Sequence, residues 1–320
     1  NKGVKTMNPS LLIALPLLIS FTIPLFAKLH KKFPNILVLI STLINVLITI
    51  SLFNTVMSEP LVVKLGNWNI PYGINLYVDK LALISLIIIS VLTFLIAIFN
   101  LRNIGELNQS KFNTMFLLAF AGINGIILTG DIFNLFVFIE IAAIATYVLA
   151  TMKRKDSYQA AFKYIVMGSI ASVFLLMAIA FTYSSIGSLN MAVIAKSAGQ
   201  LNPSLLRVIT LLLLVGIGIE AELFPMNLWV PEVYSKSYVG VTALFSGVLS
   251  VAGIYAMLRI YFTIFGNSGL YIYLTIIGAI TLILGELIAY QQNNIKKMLA
   301  YSSIAQMGLV ITVISLNSVE

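Results

Sequence analysis

Gly130-Asp131-Ile132-Phe133-Asn134-Leu135-Phe136-Val137-Phe138-Ile139-Glu140 opens the stretch whose reading decides the fold. It continues as Ile141-Ala142-Ala143-Ile144-Ala145-Thr146-Tyr147-Val148-Leu149-Ala150-Thr151-Met152, so one charge, Glu140, interrupts an otherwise uncharged run. A helix crossing a bilayer core needs ~20 predominantly apolar residues, and the stretch from Ile132 has that length. Asp131 precedes the apolar run as a helix N-cap does, its side chain available to the first free backbone N–H groups. Glu140 lies nine residues beyond Asp131, ~13 Å deeper at 1.5 Å per residue. Capping does not reach that depth. An ionisable group there costs a few kcal/mol, so by default it marks a function.

Outward from this stretch, similar apolar runs recur at about residues 9–27, 34–56, 78–101, 112–129, 159–184, 204–224, 239–265, 270–290 and 298–316. Composition agrees: of 320 residues, 60% are hydrophobic and 9% charged. A soluble domain carries about 25% charged residues, and its surface is not solvated with a third of that. The expected fold is an all-α polytopic membrane protein of about ten transmembrane helices, with no room for a sizeable soluble domain. The first run follows Lys2 and Lys5 but exceeds a usual signal-peptide core and lacks a small-x-small cleavage site. It reads as a retained span. Met7 reads as a natural start.

The net charge of +8 comes from 19 Lys+Arg against 11 Asp+Glu. The basic residues fall mostly in short loops, which favours a membrane explanation over nucleic-acid binding. Loops after odd spans hold Lys28, Lys31 and Lys32; Arg102 and Lys111; Lys153, Arg154 and Lys155; Lys296 and Lys297. Loops after even spans are near neutral, with Glu59, Lys64, Asp79 and Lys80, then Asp131, then Lys196, then the uncharged Gly266-Asn267-Ser268-Gly269. Odd loops are therefore expected in the cytoplasm and the N-terminus outside. Residues 61–77 alternate apolar and polar positions around Gly-Asn and Pro-Tyr-Gly turn signals, as a short external hairpin does.

The chain has no cysteine and one histidine, His30, within a basic loop. Thiolate zinc sites, iron–sulfur ligation and paired-histidine haem are excluded. No cofactor and no catalytic centre are expected in this chain.

Charges inside the apolar runs form the site map. Lys163 lies less than two turns into the sixth run and either snorkels to the headgroups or opposes the Glu140 charge. The seventh run ends Gly216-Ile217-Gly218-Ile219-Glu220-Ala221-Glu222-Leu223-Phe224-Pro225, with Pro231 soon after. Two prolines this close break a helix, and broken backbone at membrane depth is tolerated only inside protein or along a wet cavity. Glu220 and Glu222 beside the break suggest ion handling. Two residues apart, they do not share a helical face. Glu286 is a further intramembrane acid, close to the interface at Gln291–Lys297. A buried carboxylate favours its neutral form and a nearby lysine its charged form, so a moving lysine drives proton uptake and release.

Several stretches resemble a known family: Gly130–Glu140; Ala161-Phe162-Lys163-Tyr164; Leu223-Phe224-Pro225 with Trp229-Val230-Pro231-Glu232; Thr242-Ala243-Leu244-Phe245-Ser246-Gly247; and Ile295-Lys296-Lys297-Met298-Leu299-Ala300-Tyr301-Ser302-Ser303-Ile304. Together, in this order, they look like the D-type member of Mrp sodium/proton antiporters and the antiporter-like subunits of complex I, membrane-bound hydrogenases and sulfur reductases. The resemblance implies inverted five-helix repeats, each with a broken helix and half of an ion path. It divides the chain into three N-terminal helices with the hairpin (1–110), a first repeat (111–265) and the start of an incomplete second repeat (266–320). The family's fifth-span glutamate falls on Glu140 and its sixth-span lysine on Lys163. Glu220 stands where the broken helix usually carries lysine, and Val251 where the eighth span carries lysine or histidine.

The expected function is movement of protons, or exchange of sodium for protons, through Glu140, Lys163, Glu220, Glu222 and Glu286. The expected partners are lipid and other membrane subunits of a respiratory or antiporter complex in a prokaryotic plasma membrane, with any iron–sulfur or nickel–iron centres in those partners. The alternative is a non-pumping scaffold subunit of the same kind of complex.

Overall fold

The computed structural model describes residues 7–27, 33–70, 73–103, 108–153, 156–264 and 271–316. His30 and its neighbouring lysines, Arg154, Lys155 and Gly266–Gly269 lie outside the described residues. The chain falls into two compact units, residues 1–152 and residues 153–320.

The first unit holds α1 (Leu11–Phe26), α2 (Phe33–Ser51), α3 (Phe53–Ser58), α4 (Lys80–Asn103), α5 (Gln109–Leu128) and α6 (Ile132–Thr151). Between α3 and α4, β1 (Leu61–Lys64) pairs antiparallel with β2 (Asn75–Val78), Leu61 opposite Val78 and Lys64 opposite Asn75. Asp131 caps α6, its Oδ1 accepting from the N–H groups of Phe133 and Asn134, each at 2.9 Å. Buried asparagines tie three helices where no water competes. Asn124 on α5 donates to the carbonyl of Leu12 on α1 at 2.9 Å and to Asn45 on α2 at 3.1 Å. Such side-chain bonds hold membrane helices together in the absence of a hydrophobic driving force between them.

The second unit holds α7 (Asp156–Ile186), α8 (Met191–Ser197), α9 (Pro203–Glu220), α10 (Val230–Lys236), α11 (Val239–Leu244), α12 (Ser250–Ile264), α13 (Tyr271–Tyr290) and α14 (Ile295–Leu316). Asn202 caps α9 by accepting from Ser204 N–H at 2.9 Å, with Pro203 in the first turn, where its missing N–H costs nothing. Between α11 and α12, Phe245–Leu249 winds as a π turn. Helices α13 and α14 approach closely. A methyl group built at Gly308 would lie 2.5 Å from the backbone nitrogen of Leu282, so only glycine permits this contact.

Among the described residues nine helices are long and apolar enough to cross a membrane, and Leu11–Leu25 is a shorter apolar helix. The count of about ten spans is met by these nine and α1, which contains Pro16 and Pro24. Large apolar side chains such as Phe21, Ile84, Phe162 and Ile283 point outward, as they do where the surrounding medium is hydrocarbon rather than water.

Candidate functional site: a broken helix with buried carboxylates

The second unit is organised around the end of α9. Pro225 has no N–H and Pro231 follows within two turns, so the helical ladder cannot continue. The backbone groups released at the break find other partners. Leu223 N–H bonds the Gly218 carbonyl at 2.9 Å and Met226 N–H the Leu223 carbonyl at 2.8 Å. Phe224 N–H donates to Thr281 Oγ1 on α13 at 3.0 Å, and the Trp229 indole N–H donates to the Ile219 carbonyl at 3.3 Å. Glu222 carries the turn itself with φ of +60°, the left-handed region that non-glycine residues seldom occupy. Among the described residues it is the one non-glycine residue there.

Both carboxylates of the break are buried. Glu220, the last residue of α9, is 6% exposed and Glu222 is 1% exposed. The left-handed turn directs Glu222 toward α10 and α12. Its Oε1 accepts from the Tyr234 hydroxyl on α10 and from Ser250 Oγ, at 2.5 Å, at the start of α12. Its Oε2 is buried and has no hydrogen-bond partner among the described residues. Ser250 Oγ also lies 2.7 Å from the Phe245 carbonyl across the π turn.

Aromatic rings wall this group. Tyr164 of α7 stacks on Trp229 with centroids 4.0 Å apart and planes 9° apart. Tyr234 stacks on Phe245 at 5.9 Å and meets Trp229 edge-on at 6.4 Å. Gly253 on α12 lets the wall close: a methyl group built there would lie 2.6 Å from the Glu220 carbonyl oxygen. The result is a buried, hydroxyl-lined carboxyl at the centre of a broken helix, an arrangement suited to holding a small cation or a proton.

A second group of charges lies along α10. Glu232 pairs with Lys236 at 2.9 Å and with Lys297 of α14 at 3.7 Å. The Lys236 hydrogen bond holds the Glu232 carboxyl below its ordinary range, with help from the Lys297 and Lys163 charges and against partial desolvation. The Ser237 carbonyl accepts from Lys153 and Lys296, each at 3.3 Å. Loops assigned by sequence to one membrane side thus meet at one place.

Of the five residues singled out in the sequence, Glu220 and Glu222 come together at the break. Lys163 is exposed on α7, its charge acting on Glu232. Glu286 is exposed on α13, away from that helix's buried face of Leu274, Gly278, Thr281, Gly285 and Ala289. Glu140 lies half-buried on α6 in the first unit. Sequence reasoning passed over Arg259, although the rule that flagged Glu140 applies to it equally. Arg259 is 8% exposed on α12, with Nη2 donating to the Tyr255 hydroxyl at 2.5 Å. Tyr234 and Ser250 were also missed. Neither carries a sequence signal, because the left-handed turn and the π turn that bring them to Glu222 are not written in hydrophobic periodicity.

A family model described as the transmembrane NADH:quinone oxidoreductase/Mrp antiporter family matches residues 129–320. The D-type Na(+)/H(+) antiporter protein of Alkalihalophilus pseudofirmus is 32% identical over 94% of this chain and 63% of that protein. The N-type protein of the NADH-quinone oxidoreductase of Desulforudis audaxviator is 32% identical over 97% of this chain and 64% of that protein. Among solved structures, a chain of the archaeal membrane-bound sulfane sulfur reductase superposes with a TM-score of 0.91 at 40% identity, over 96% of this chain and 64% of that one. The chain thus spans a little under two thirds of the length of these relatives. With the broken helix, the buried carboxylates and a matched segment covering more than half of its length, the chain belongs to the NADH:quinone oxidoreductase/Mrp antiporter transmembrane family.

Proposed function

We propose that this chain is an ion-translocating membrane subunit of a multi-subunit respiratory or antiporter complex, moving protons or exchanging sodium for protons. The observation that carries the reading is the pair of carboxylates, Glu220 and Glu222, buried beside a break in an apolar helix. Placing such groups in hydrocarbon is costly, and backbone breaks at that depth line ion paths or protein interiors. In this reading Glu140, Lys163, Glu220, Glu222 and Glu286 are the groups between which charge moves. Lys163 and Glu286, exposed on this chain, then face neighbouring subunits or the headgroup layer. The odd-numbered loops lie in the cytoplasm of a prokaryote and the N-terminus lies outside. Residues 1–110 form an N-terminal helical segment, 111–265 a five-helix repeat and 266–320 the start of a second repeat. Redox centres, where the complex has them, belong to partner subunits.

The test is ion flux in vesicles containing the assembled complex with Glu140→Gln or Glu220→Gln. Each variant is expected to assemble and to lose coupled ion movement. Unchanged flux in both sinks the reading. A scaffold role is the second reading, favoured by Glu220 standing where the resemblance places a lysine. It predicts that both variants pump normally while deletion of the chain disassembles the complex.

A further inference from the structure

We propose that Glu222, Tyr234 and Ser250 form a proton-holding site in which the Glu222 carboxyl is neutral and carries its proton on Oε2. The inference deepens the ion-translocation reading and rests on it for the claim that this proton is a transported one. The state of the carboxyl itself does not depend on that reading.

The hydrogens available around the carboxyl decide its state. Oε1 faces two hydroxyls, Tyr234 on α10 and Ser250 on α12, and is within reach to accept from either. Oε2 is buried and has no donor among the described residues. An ionised carboxylate needs donors on both oxygens, because its charge is shared between them and an unsolvated lone pair is costly. A neutral acid leaves at Oε2 only an O–H without an acceptor, a smaller loss than an unsolvated ionised oxygen. The distribution found at Glu222, hydroxyls against one oxygen and no donor at the other, fits a C=O at Oε1 and an O–H at Oε2 better than a charge shared between the two.

The surroundings favour the same state. Among the described residues, the groups found against Glu222 are the hydroxyls of Tyr234 from α10 and Ser250 from α12; behind them lie the Phe245 carbonyl, in contact with Ser250, and the Tyr164 ring, stacked on Trp229. Glu220, two positions earlier at the end of α9, is itself an acid. The lysines that reach α10 bind elsewhere, Lys236 and Lys297 at Glu232, and Lys153 and Lys296 at the Ser237 carbonyl.

The site also contains a means of changing state. Ser250 has one hydroxyl hydrogen and three oxygens within reach, Glu222 Oε1 at 2.5 Å, the Phe245 carbonyl at 2.7 Å and, more distantly, the Tyr234 hydroxyl at 3.2 Å. The π turn brings the Phe245 carbonyl to position 250, where it accepts the Ser250 backbone N–H and also lies within reach of the hydroxyl, and π turns inside helices recur at functional sites. With Glu222 neutral, Ser250 donates to Phe245 and Tyr234 alone supports Oε1. When the Oε2 proton leaves for an acceptor such as a water molecule, Ser250 rotates and both hydroxyls stabilise the carboxylate. One O–H bond breaks at Oε2, one forms on the acceptor, and the negative charge remains on Glu222. The strained left-handed backbone at Glu222 is what aims its side chain between the two hydroxyls.

The test is infrared difference spectroscopy of the purified complex containing the full chain, wild type against Glu222→Gln, at neutral pH and with and without sodium. The expected result is a protonated-carboxyl C=O band that disappears in Glu222→Gln and shifts in D2O. The band should move to higher frequency in Tyr234→Phe, which removes a donor to Oε1, and remain when sodium is added. Proton flux should fall about a hundredfold in Glu222→Gln, the low end for loss of a positioned proton-transfer group. It should fall less in Ser250→Ala, which keeps the acid. Absence of the band in wild type overturns the proposal, as does its loss on adding sodium, which would make this a cation site. If the band behaves as expected while Glu140→Gln, Glu220→Gln and Glu222→Gln all pump normally, the neutral acid stands and its transport role falls. If only Glu222→Gln pumps normally, the translocation reading survives without this site.

Discussion

Gly253→Ala is the most demanding perturbation of the break. The added methyl group would sit 2.6 Å from the Glu220 carbonyl oxygen, 2.8 Å from its carbon and 2.9 Å from the Ala221 nitrogen. All three are backbone atoms, so no side chain can rotate away. Ordinary contact begins near 3.4 Å, so α12 and the break must separate by ~0.8 Å or distort internally; overpacking of this kind costs about 1–3 kcal/mol. The same displacement acts on Ser250, one turn earlier on α12. Added to the 2.5 Å Ser250–Glu222 bond, it brings the pair to ~3.3 Å, where a hydroxyl–carboxyl hydrogen bond is weak. Stability and the proton site should therefore fail together. The assay is paired: the apparent unfolding midpoint of the detergent-purified complex, and the initial rate of proton flux per assembled complex in vesicles. We expect a lowered midpoint and a flux loss of tenfold or more, about 1.4 kcal/mol in barrier terms. Gly199→Ala is the control, because nothing lies within 4 Å of its added methyl group. Gly253→Ala with wild-type midpoint and flux would show that the close approach of α12 to the break is not required.

Three further outcomes follow from the same geometry. Trp229→Phe keeps a ring against Tyr164 but removes the indole donor from the Ile219 carbonyl, which retains the longer 3.4 Å bond from Glu222 N–H; losing that one buried hydrogen bond should cost about 1 kcal/mol, read as a lowered unfolding midpoint with the complex still assembled. Asp131→Ala should destabilise the start of α6 by about 1 kcal/mol while Asp131→Asn is nearly neutral, since either amide or carboxylate oxygen caps Phe133 and Asn134. For Glu232 the folded-state carboxyl titrates below its ordinary range, first through the Lys236 bond. Its contribution to stability is therefore present above the unfolded-state value and lost as pH falls through the lower folded-state value. The midpoint difference between wild type and Lys236→Ala should accordingly be present at neutral pH and vanish in acid. A difference unchanged across that range would show that the ion pair is not its source.

What the sequence disclosed follows the physics of the bilayer. Hydrocarbon forces long apolar helices, so the spans were legible from uninterrupted runs such as Ile132–Met152. The break at Pro225 was legible because proline removes a donor whatever surrounds it. Charge inside an apolar run is rare enough in such a chain that Glu140, Glu220 and Glu222 stood out by existing at all, and Arg259 was equally visible though overlooked. The hydroxyl partners were not legible. Tyr234 and Ser250 are ordinary residues whose importance depends on a left-handed backbone at Glu222 and on one extra residue in the turn Phe245–Leu249. Neither feature has a hydrophobic period, and tyrosine and serine are common in spans for bland reasons. Lys163 illustrates the converse: the sequence marks it as a charge in a span, and the fold leaves it exposed on α7 with only a small electrostatic influence on Glu232.

If charge placed within these spans moves ions, removing one exchangeable proton at mid-span must stop the movement without dismantling the complex. The direct measurement is the initial rate of proton movement in vesicles containing equal amounts of assembled complex, wild type and Glu140→Gln. Glutamine matches glutamate in size and hydrogen-bonding reach but cannot exchange a proton. The predicted result is assembly at wild-type level with proton movement reduced to background. Wild-type rates in the fully assembled Glu140→Gln complex would contradict it.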